Sequence, residues 1–478
     1  MTRYSAIILI ALGAGCAGSD TQGPPVDPAA AVRLSEHSIS VGLDDTHPLT
    51  AQRLGPDGAA IPGRISWRSA NENIATVDDQ GRVSAVGLGR TWIVASDTRH
   101  TDTALVDTWA AFREIHAGED FTCGLAGRGT ALCWGWNQFG SLGDGSGRDR
   151  PLPGLVGGGL HFSGLSVGSA SACGISGSAL WCWGYNGVGQ LGDGTTAQHG
   201  TPERIADTLR LGSIALGAGT TTCAFDLAAT TVDRPAQPDP HADTSTTRNV
   251  VCWGWNGFGQ LLDGGGVNAR RPKRLNAAWS FFAIAPGGHH VCGLDLTGVA
   301  WCWGRDDSGQ LGDGATTLST VPRAVAGGHA YGALVSGILH TCGRTASGQV
   351  WCWGDNSRGQ TGTAVPGFTA TPVLAAGGMA FDVLSSSSYH NCGLAAGVAW
   401  CWGDNSSGQL GRGTISTTGA PAPVAGNLRF QSISAGRRHT CGIATDGVAW
   451  CWGGNTHGGL GYLAAGPQTA PGRVAAQR

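Results

Sequence analysis

From residue 110 to the end of the chain, short runs of alternating apolar and polar residues recur between turns. The last copy is the plainest. Ser432-Ile433-Ser434-Ala435-Gly436 precedes His439-Thr440-Cys441-Gly442-Ile443, a turn follows at Thr445-Asp446-Gly447, and Val448-Ala449-Trp450-Cys451-Trp452-Gly453 resumes the alternation. Two such runs joined across an Asp-Gly turn predict a β-hairpin. The Trp-Cys-Trp-Gly cysteine, or its near copy, stands at Cys133, Cys182, Cys252, Cys302, Cys352, Cys401 and Cys451, with spacings of 49, 70, 50, 50, 49 and 50 residues. A period of this size marks stacked supersecondary units. Each unit has room for four strands, so seven units predict a seven-bladed β-propeller over residues 110–478. The long interval holds an insertion, roughly residues 229–248, with the disordered composition of Pro235, Pro238, Asp239 and Pro240. It extends the turn between Cys223 and Cys252, so it is expected to project from the face opposite the Trp-Gly-x-Asn loops.

The hairpin sets cysteines opposite one another on adjacent strands, within disulfide reach. The pairs expected are Cys123–Cys133, Cys173–Cys182, Cys223–Cys252, Cys292–Cys302, Cys342–Cys352, Cys392–Cys401 and Cys441–Cys451. Zinc is the rival reading, but each pair lies on its own blade without two further ligands. Closure of the ring is read from the termini of the repeat. The first unit lacks the Pro-x-x-Val run that opens the others, and the chain ends with Pro471-Gly472-Arg473-Val474. The C-terminus is therefore expected to complete blade one.

Residues 31–108 lack the repeat and show shorter runs, among them Ile65-Ser66-Trp67, Ile74-Ala75-Thr76-Val77 and Trp92-Ile93-Val94-Ala95. Short strands at this spacing predict a small β-sandwich. Trp67-Arg68-Ser69-Ala70-Asn71, then Ile74-Ala75-Thr76-Val77 and Gly81-Arg82-Val83-Ser84-Ala85-Val86-Gly87, resemble the bacterial immunoglobulin-like domain of group 2, which implies a spacer on a cell-surface protein. The propeller repeat resembles the regulator of chromosome condensation repeat. That resemblance rests on His439-Thr440-Cys441 and on Trp183-Gly184-Tyr185-Asn186-Gly187-Val188-Gly189-Gln190-Leu191-Gly192. The fold class expected is thus all-β, a seven-bladed β-propeller preceded by a small immunoglobulin-like β-sandwich.

Composition adds the compartment. Arg3 precedes the apolar run Ala6–Leu12, too short to span a bilayer, and residues 1–16 read as an export signal. Leu12-Gly13-Ala14-Gly15-Cys16-Ala17 resembles a bacterial lipobox, with its large apolar residue one place early. This implies lipidation at Cys16, ordinary cleavage near Ala17 being the alternative. Of 15 cysteines, seven pairs leave Cys16 alone. Residues 17–30 then read as a flexible tether. The formal net charge of −3, with Lys273 the sole lysine, gives no electrostatic support for nucleic-acid binding.

Candidate chemistry largely dissolves into the repeat. Gly164-Leu165-Ser166-Val167-Gly168 fits a nucleophile elbow, but its equivalents are strand ends and no helix follows. His290, His340, His390 and His439 precede the first cysteine of blades four to seven, where blades one to three have Phe121, Ser171 and Thr221. They are read as a repeated blade-to-blade hydrogen bond. Asp144, Asp193 and Asp313 suggest calcium, but later blades carry Thr363, Arg412 and Tyr462, and a tight turn is the better reading.

One position varies. After Trp-Gly it is Trp136, Tyr185, Trp255, Arg305, Asp355, Asp404 and Gly454. With Phe139 and Phe258 its aromatics form a candidate exposed binding surface, beside a charged sector of Arg305, Asp307, Asp355, Arg358 and Asp404. No catalytic, cofactor or metal residues are assigned. The expectation is a monomeric, exported, non-enzymatic envelope protein that binds a protein or glycan and meets the membrane only through its lipid anchor. An extracellular hydrolase or lyase, or a purely structural envelope protein, are the alternatives.

Overall fold

The computed structural model describes residues 29–205, 211–226, 249–275, 279–364 and 367–478. The signal, Cys16, most of the tether and the insertion lie outside the described residues.

The N-terminal strands form three small sheets. One pairs Ala31–Leu34, Ala51–Leu54 and Ala60–Ile61; a second runs Ser38–Gly42, Thr101–Trp109, Gly89–Ser96, Ser66–Ser69; a third runs Thr46–Pro48, Arg82–Ala85, Ala75–Val77. Alternation along Thr101–Trp109 puts Ala104 and Val106 inward, against Val41, Leu49, Val83 and Ile93 in one apolar core.

Seven four-stranded antiparallel sheets follow. Blade one consists of an inner strand Phe112–Ala117, a second Phe121–Ala126, a third Thr130–Gly135 and an outer strand Arg150–Leu155. Blade seven consists of Phe430–Ala435, His439–Ala444, Ala449–Gly453 and Gln468–Arg473. Each inner strand lies beside those of both neighbouring blades, and Phe112–Ala117 beside Phe430–Ala435 closes the ring.

The closure differs from the sequence expectation. The C-terminal strand Gln468–Arg473 pairs with Ala449–Gly453 of its own blade, and blade one has its own outer strand in Arg150–Leu155. The Pro-x-x-Val run therefore finishes a blade, because the loop before it folds back beside the third strand. No strand is exchanged across the seam, and side-chain and backbone contacts together hold it. Trp134 Nε1 donates to the Gly459 carbonyl at 2.9 Å, the Ala117 amide donates to Ser434 Oγ at 2.9 Å, and the Ala110 amide donates to the Ala476 carbonyl at 2.8 Å. Phe112, Leu132 and Trp134 bury against Ile443, Leu460 and Val474 there.

The seam hydrogen bond of Trp134 is one of seven. The second tryptophan of each Trp-Cys-Trp-Gly copy is buried and donates to the long loop of the preceding blade: Trp183 to Ser141, Trp253 to Gln190, Trp303 to Gln260, Trp353 to Gln310, Trp402 to Gln360 and Trp452 to Gln409, at 2.7–3.0 Å. The loop must let that indole approach. At Gly192, with φ +83°, a Cβ would meet Trp253 Nε1 at 2.7 Å, so glycine is required.

Cys123 and Cys133 are register partners with Cα atoms 4.1 Å apart, and the other six pairs repeat the arrangement at 4.0–4.1 Å. All fourteen cysteines are fully buried between blades. Denatured but unreduced protein is expected to show none of these fourteen as free thiols, and all of them after reduction. Fourteen reactive thiols before reduction would refute the pairing.

The N-terminal unit sits against blade one. Asp44, at φ +68°, accepts hydrogen bonds from Thr130 Oγ1 at 2.8 and 2.9 Å and from the Arg128 amide at 3.1 Å, while Leu43 and Leu88 pack into the seam cluster. These contacts involve the hairpin between the second and third strands. They leave the opposite face, made by the inner turns and the long loops, clear of the N-terminal unit.

Candidate binding face

Six of the seven long loops are organised by the asparagine of Trp-Gly-x-Asn, and blade four has Asp306 in its place. The asparagine Oδ1 accepts from the amide five residues on: Leu142, Leu191, Leu261, Thr361, Leu410 and Leu460 from Asn137, Asn186, Asn256, Asn356, Asn405 and Asn455, at 2.8–3.2 Å. In blades one and three the residue before the asparagine and the residue two after it lie together beside this tight turn, whereas Asp404 at the equivalent place in blade six is buried. Trp136 and Phe139 accordingly meet edge to face with ring centroids 5.1 Å apart, as do Trp255 and Phe258.

The five aromatic residues of the sequence reading fall into two groups. His457, Trp136, Phe139 and Tyr185 form a chain of rings at 5.9, 5.1 and 4.9 Å across blades seven, one and two. Trp255 and Phe258 surround His289 at 4.9 and 5.6 Å, and the Arg305 guanidinium lies 5.6 Å from the Phe258 centroid. All five are half-buried rather than exposed, because the rings cover one another. The beginning of the charged sector compensates itself internally. Arg305 pairs with Asp307 at 2.5 Å and Arg358 with Asp404 at 3.0 Å, and Arg358 also lies over Tyr389.

Sequence reasoning passed over a set of apolar residues on the same loops. Val267 is 78% exposed and Leu463 77%, and Leu318 and Ile415 are exposed at related places in blades four and six, with Phe368 at the start of the blade-five outer strand. For Val267, Leu318 and Ile415 the signal was legible: each is a large apolar residue in a loop otherwise built mostly of small and polar residues.

The remaining candidates are structural. Ser166 lies in the strand Gly164–Val167, and its Oγ accepts from the Leu216 amide of blade three at 3.0 Å. Equivalent serines Ser385 and Ser434 accept from Ala435 and Ala117. They line a cavity of ≈ 130 Å³ on the axis, whose ionisable residues are His116 and Glu119. His290, His340, His390 and His439 are buried and bond through Nε2 to Thr341, Asn391, Thr440 and Thr122 of the next blade at 2.7–3.0 Å. Asn391 Oδ1 can only accept, so His340 carries its proton on Nε2. Nδ1 of His290, His340 and His390 has no partner, and a second proton there would be a buried donor without an acceptor. Burial accordingly pushes these rings down to about 3, about 4 and about 3, and His439 to about 4. Among the described residues no group of three or more His, Cys, Asp or Glu is placed to hold a metal ion.

Residues 178–224 and 396–443 match the regulator of chromosome condensation (RCC1) repeat, and 112–141, 333–360 and 430–458 match a second form of it. The propeller carries RCC1 repeats. Residues 59–99 match the intimin immunoglobulin-like domain. Solved structures agree in fold. Prp20p from Saccharomyces cerevisiae superposes with a TM-score of 0.60 at 20% identity, over 76% of this chain and 87% of that one. Human WBSCR16 gives 0.61 at 18% identity, over 72% and 94%. Yeast RCC1 (Prp20) bound to Kap60 gives 0.59 at 19%, over 75% and 84%. Comparison with curated protein sequences found no match. Identities at this level speak for the fold of the RCC1 repeats alone.

Proposed function

We propose that this chain is a non-enzymatic scaffold of a bacterial envelope that binds a protein through the long-loop face of its propeller. The observation that carries the reading is the concentration on one face of two half-buried aromatic groups and the exposed Val267, Leu318, Ile415 and Leu463. The opposite face is the one that meets the N-terminal unit through Asp44. Aromatic rings already packed by neighbours lose little conformational freedom on binding and make good anchors. Yeast Prp20 is a propeller of the same fold solved with the protein Kap60 bound, which supports a protein rather than a glycan as partner here. Seven disulfides point to an oxidising, extracellular environment. Lipidation at Cys16 would tether the chain, with the immunoglobulin-like unit as spacer.

The test is a pull-down of envelope and secreted proteins with the wild type and with a Trp136→Ala/Tyr185→Ala/Trp255→Ala variant, both shown folded by thermal melting. The expected result is a protein retained by the wild type and weakened at least ~10-fold by the triple change, since an anchoring aromatic contributes about 2 kcal/mol or more. An identical binding profile would remove the aromatic groups from the proposal.

A further inference from the structure

We propose that the long loop of blade four holds a divalent cation of the calcium type between Asp306 and Asp313. The seven loops provide their own control. In six of them an asparagine donates through Nδ2 into a nest of oxygen atoms. The acceptors are Asp144, Asp193 and Asp263 side chains at 3.0, 3.1 and 2.9 Å in blades one to three. In blades three, six and seven they include the carbonyls of Gly265, Thr414 and Ala464, each nine residues on, at 3.0, 2.9 and 2.9 Å. Blade four breaks the pattern at one atom. Asp306 keeps the accepting oxygen, with Leu311 donating to Oδ1 at 2.9 Å, but puts Oδ2 where the amide NH₂ belongs. Asp306 is 1% exposed; Oδ2 makes no close hydrogen bond, although the Thr317 amide lies against the carboxyl group. Asp313 stands seven residues on, as in blades one to three, and Ala315 nine residues on.

The charges make the departure sharper. In blades one to three the turn aspartate has a basic side chain beside it: Arg150 at 3.2 Å from Asp144, His199 at 2.8 Å from Asp193 and Lys273 at 2.9 Å from Asp263. Blade four adds a second carboxylate without supplying such a partner. Among the described residues no ion pair reaches Asp313 or Asp306; Arg305 is engaged with Asp307, and Arg323 donates to Ser319 Oγ. The site is thus two carboxylates, with the asparagine donor of the other blades removed. Hard cations take oxygen ligands of this kind, and calcium tolerates irregular sets of carboxylate and carbonyl oxygens better than magnesium does. An amide at position 306 would donate into the loop as in the other six blades, whereas an ionised carboxylate can only accept.

The test uses the full chain treated with EDTA at pH 8, then titrated with calcium, with thermal melting and terbium luminescence as readouts. The wild type is expected to gain several degrees of melting temperature, half-maximal at ~0.1–1 mM calcium as in other extracellular sites. Asp306→Asn restores the residue type of the other six blades and should fold. It is expected to melt above the wild type in EDTA and to lose the calcium response, and Asp313→Asn should lose the response as well. A wild-type melt indifferent to calcium, as when a proton alone fills the gap, overturns the proposal. So does a response that survives in Asp306→Asn.

Discussion

Truncation after Pro467 is expected to lower the melting temperature by more than ~10 °C, the largest effect of any change of this length in the chain. The deleted segment holds the outer strand of blade seven, and Val474, which is 1% exposed in the seam cluster. It also holds Ala476, whose carbonyl accepts from Ala110, and Gln477, which bonds both the amide and the carbonyl of Ala449 at 2.7 and 3.0 Å. Burial of one valine contributes roughly 2 kcal/mol and each hydrogen bond about 1, so the loss exceeds about 5 kcal/mol before the freed strand edge is counted. Hydrogen exchange locates the damage. Protection should fall at Trp450, Cys451 and Gly453, which pair with the deleted strand, while Leu132 and Cys133 keep their partners Leu155 and Gly154. Loss of protection at Leu132 and Cys133 with blade seven intact would contradict the closure described here.

Acidification from pH 7.5 to 5 is expected to destabilise the propeller steeply. The four buried histidines have folded pKa values of about 3 to 4, below the usual 6.5. The folded state therefore keeps them neutral while the unfolded chain takes up protons. Their contribution is complete above about pH 6.5 and is lost as pH falls toward 4. At pH 5 one such histidine costs roughly 2 kcal/mol. The aspartates with depressed pKa, such as Asp97, held well below the ordinary carboxylate range by the Arg99 and His100 amides and by Arg53, act only below this window. Asp306, pushed up to about 6 by burial and by Asp313 and Asp307, works with the opposite sign, its contribution fading as pH rises through 6. Melting temperature measured across this range should drop monotonically, and His390→Gln, which keeps a donor for Thr440, should flatten the slope. A melt independent of pH between 7.5 and 5 would rule out the neutral, buried assignment.

The aromatic reading shows where sequence inference reached and where it stopped. Variation at Trp136, Tyr185 and Trp255 marked a position outside the shared core, and in the structure these three rings are half-buried while Asp404 at the same position is buried. Variation could not say how far each ring is covered, because Phe139, His289 and His457 reach these rings from neighbouring turns and blades. Asp306 is similar. Its departure from asparagine is plain in the sequence, but the consequence depends on its burial and on the absence of a basic neighbour, both set by the folded loop.

The repeat by itself determined the number of blades, the hairpins and the cysteine partners, because each depends on residues close in sequence and on the two-residue period of a strand. It could not determine which four consecutive strands make one blade. A period has no natural starting point, and Pro-x-x-Val can finish one unit as well as begin the next. Only the tertiary structure decided that the outer strand returns to its own blade. It also decided that the ring closes through Trp134, His439, Ser434 and Val474, contacts made by residues more than 300 positions apart across the seam.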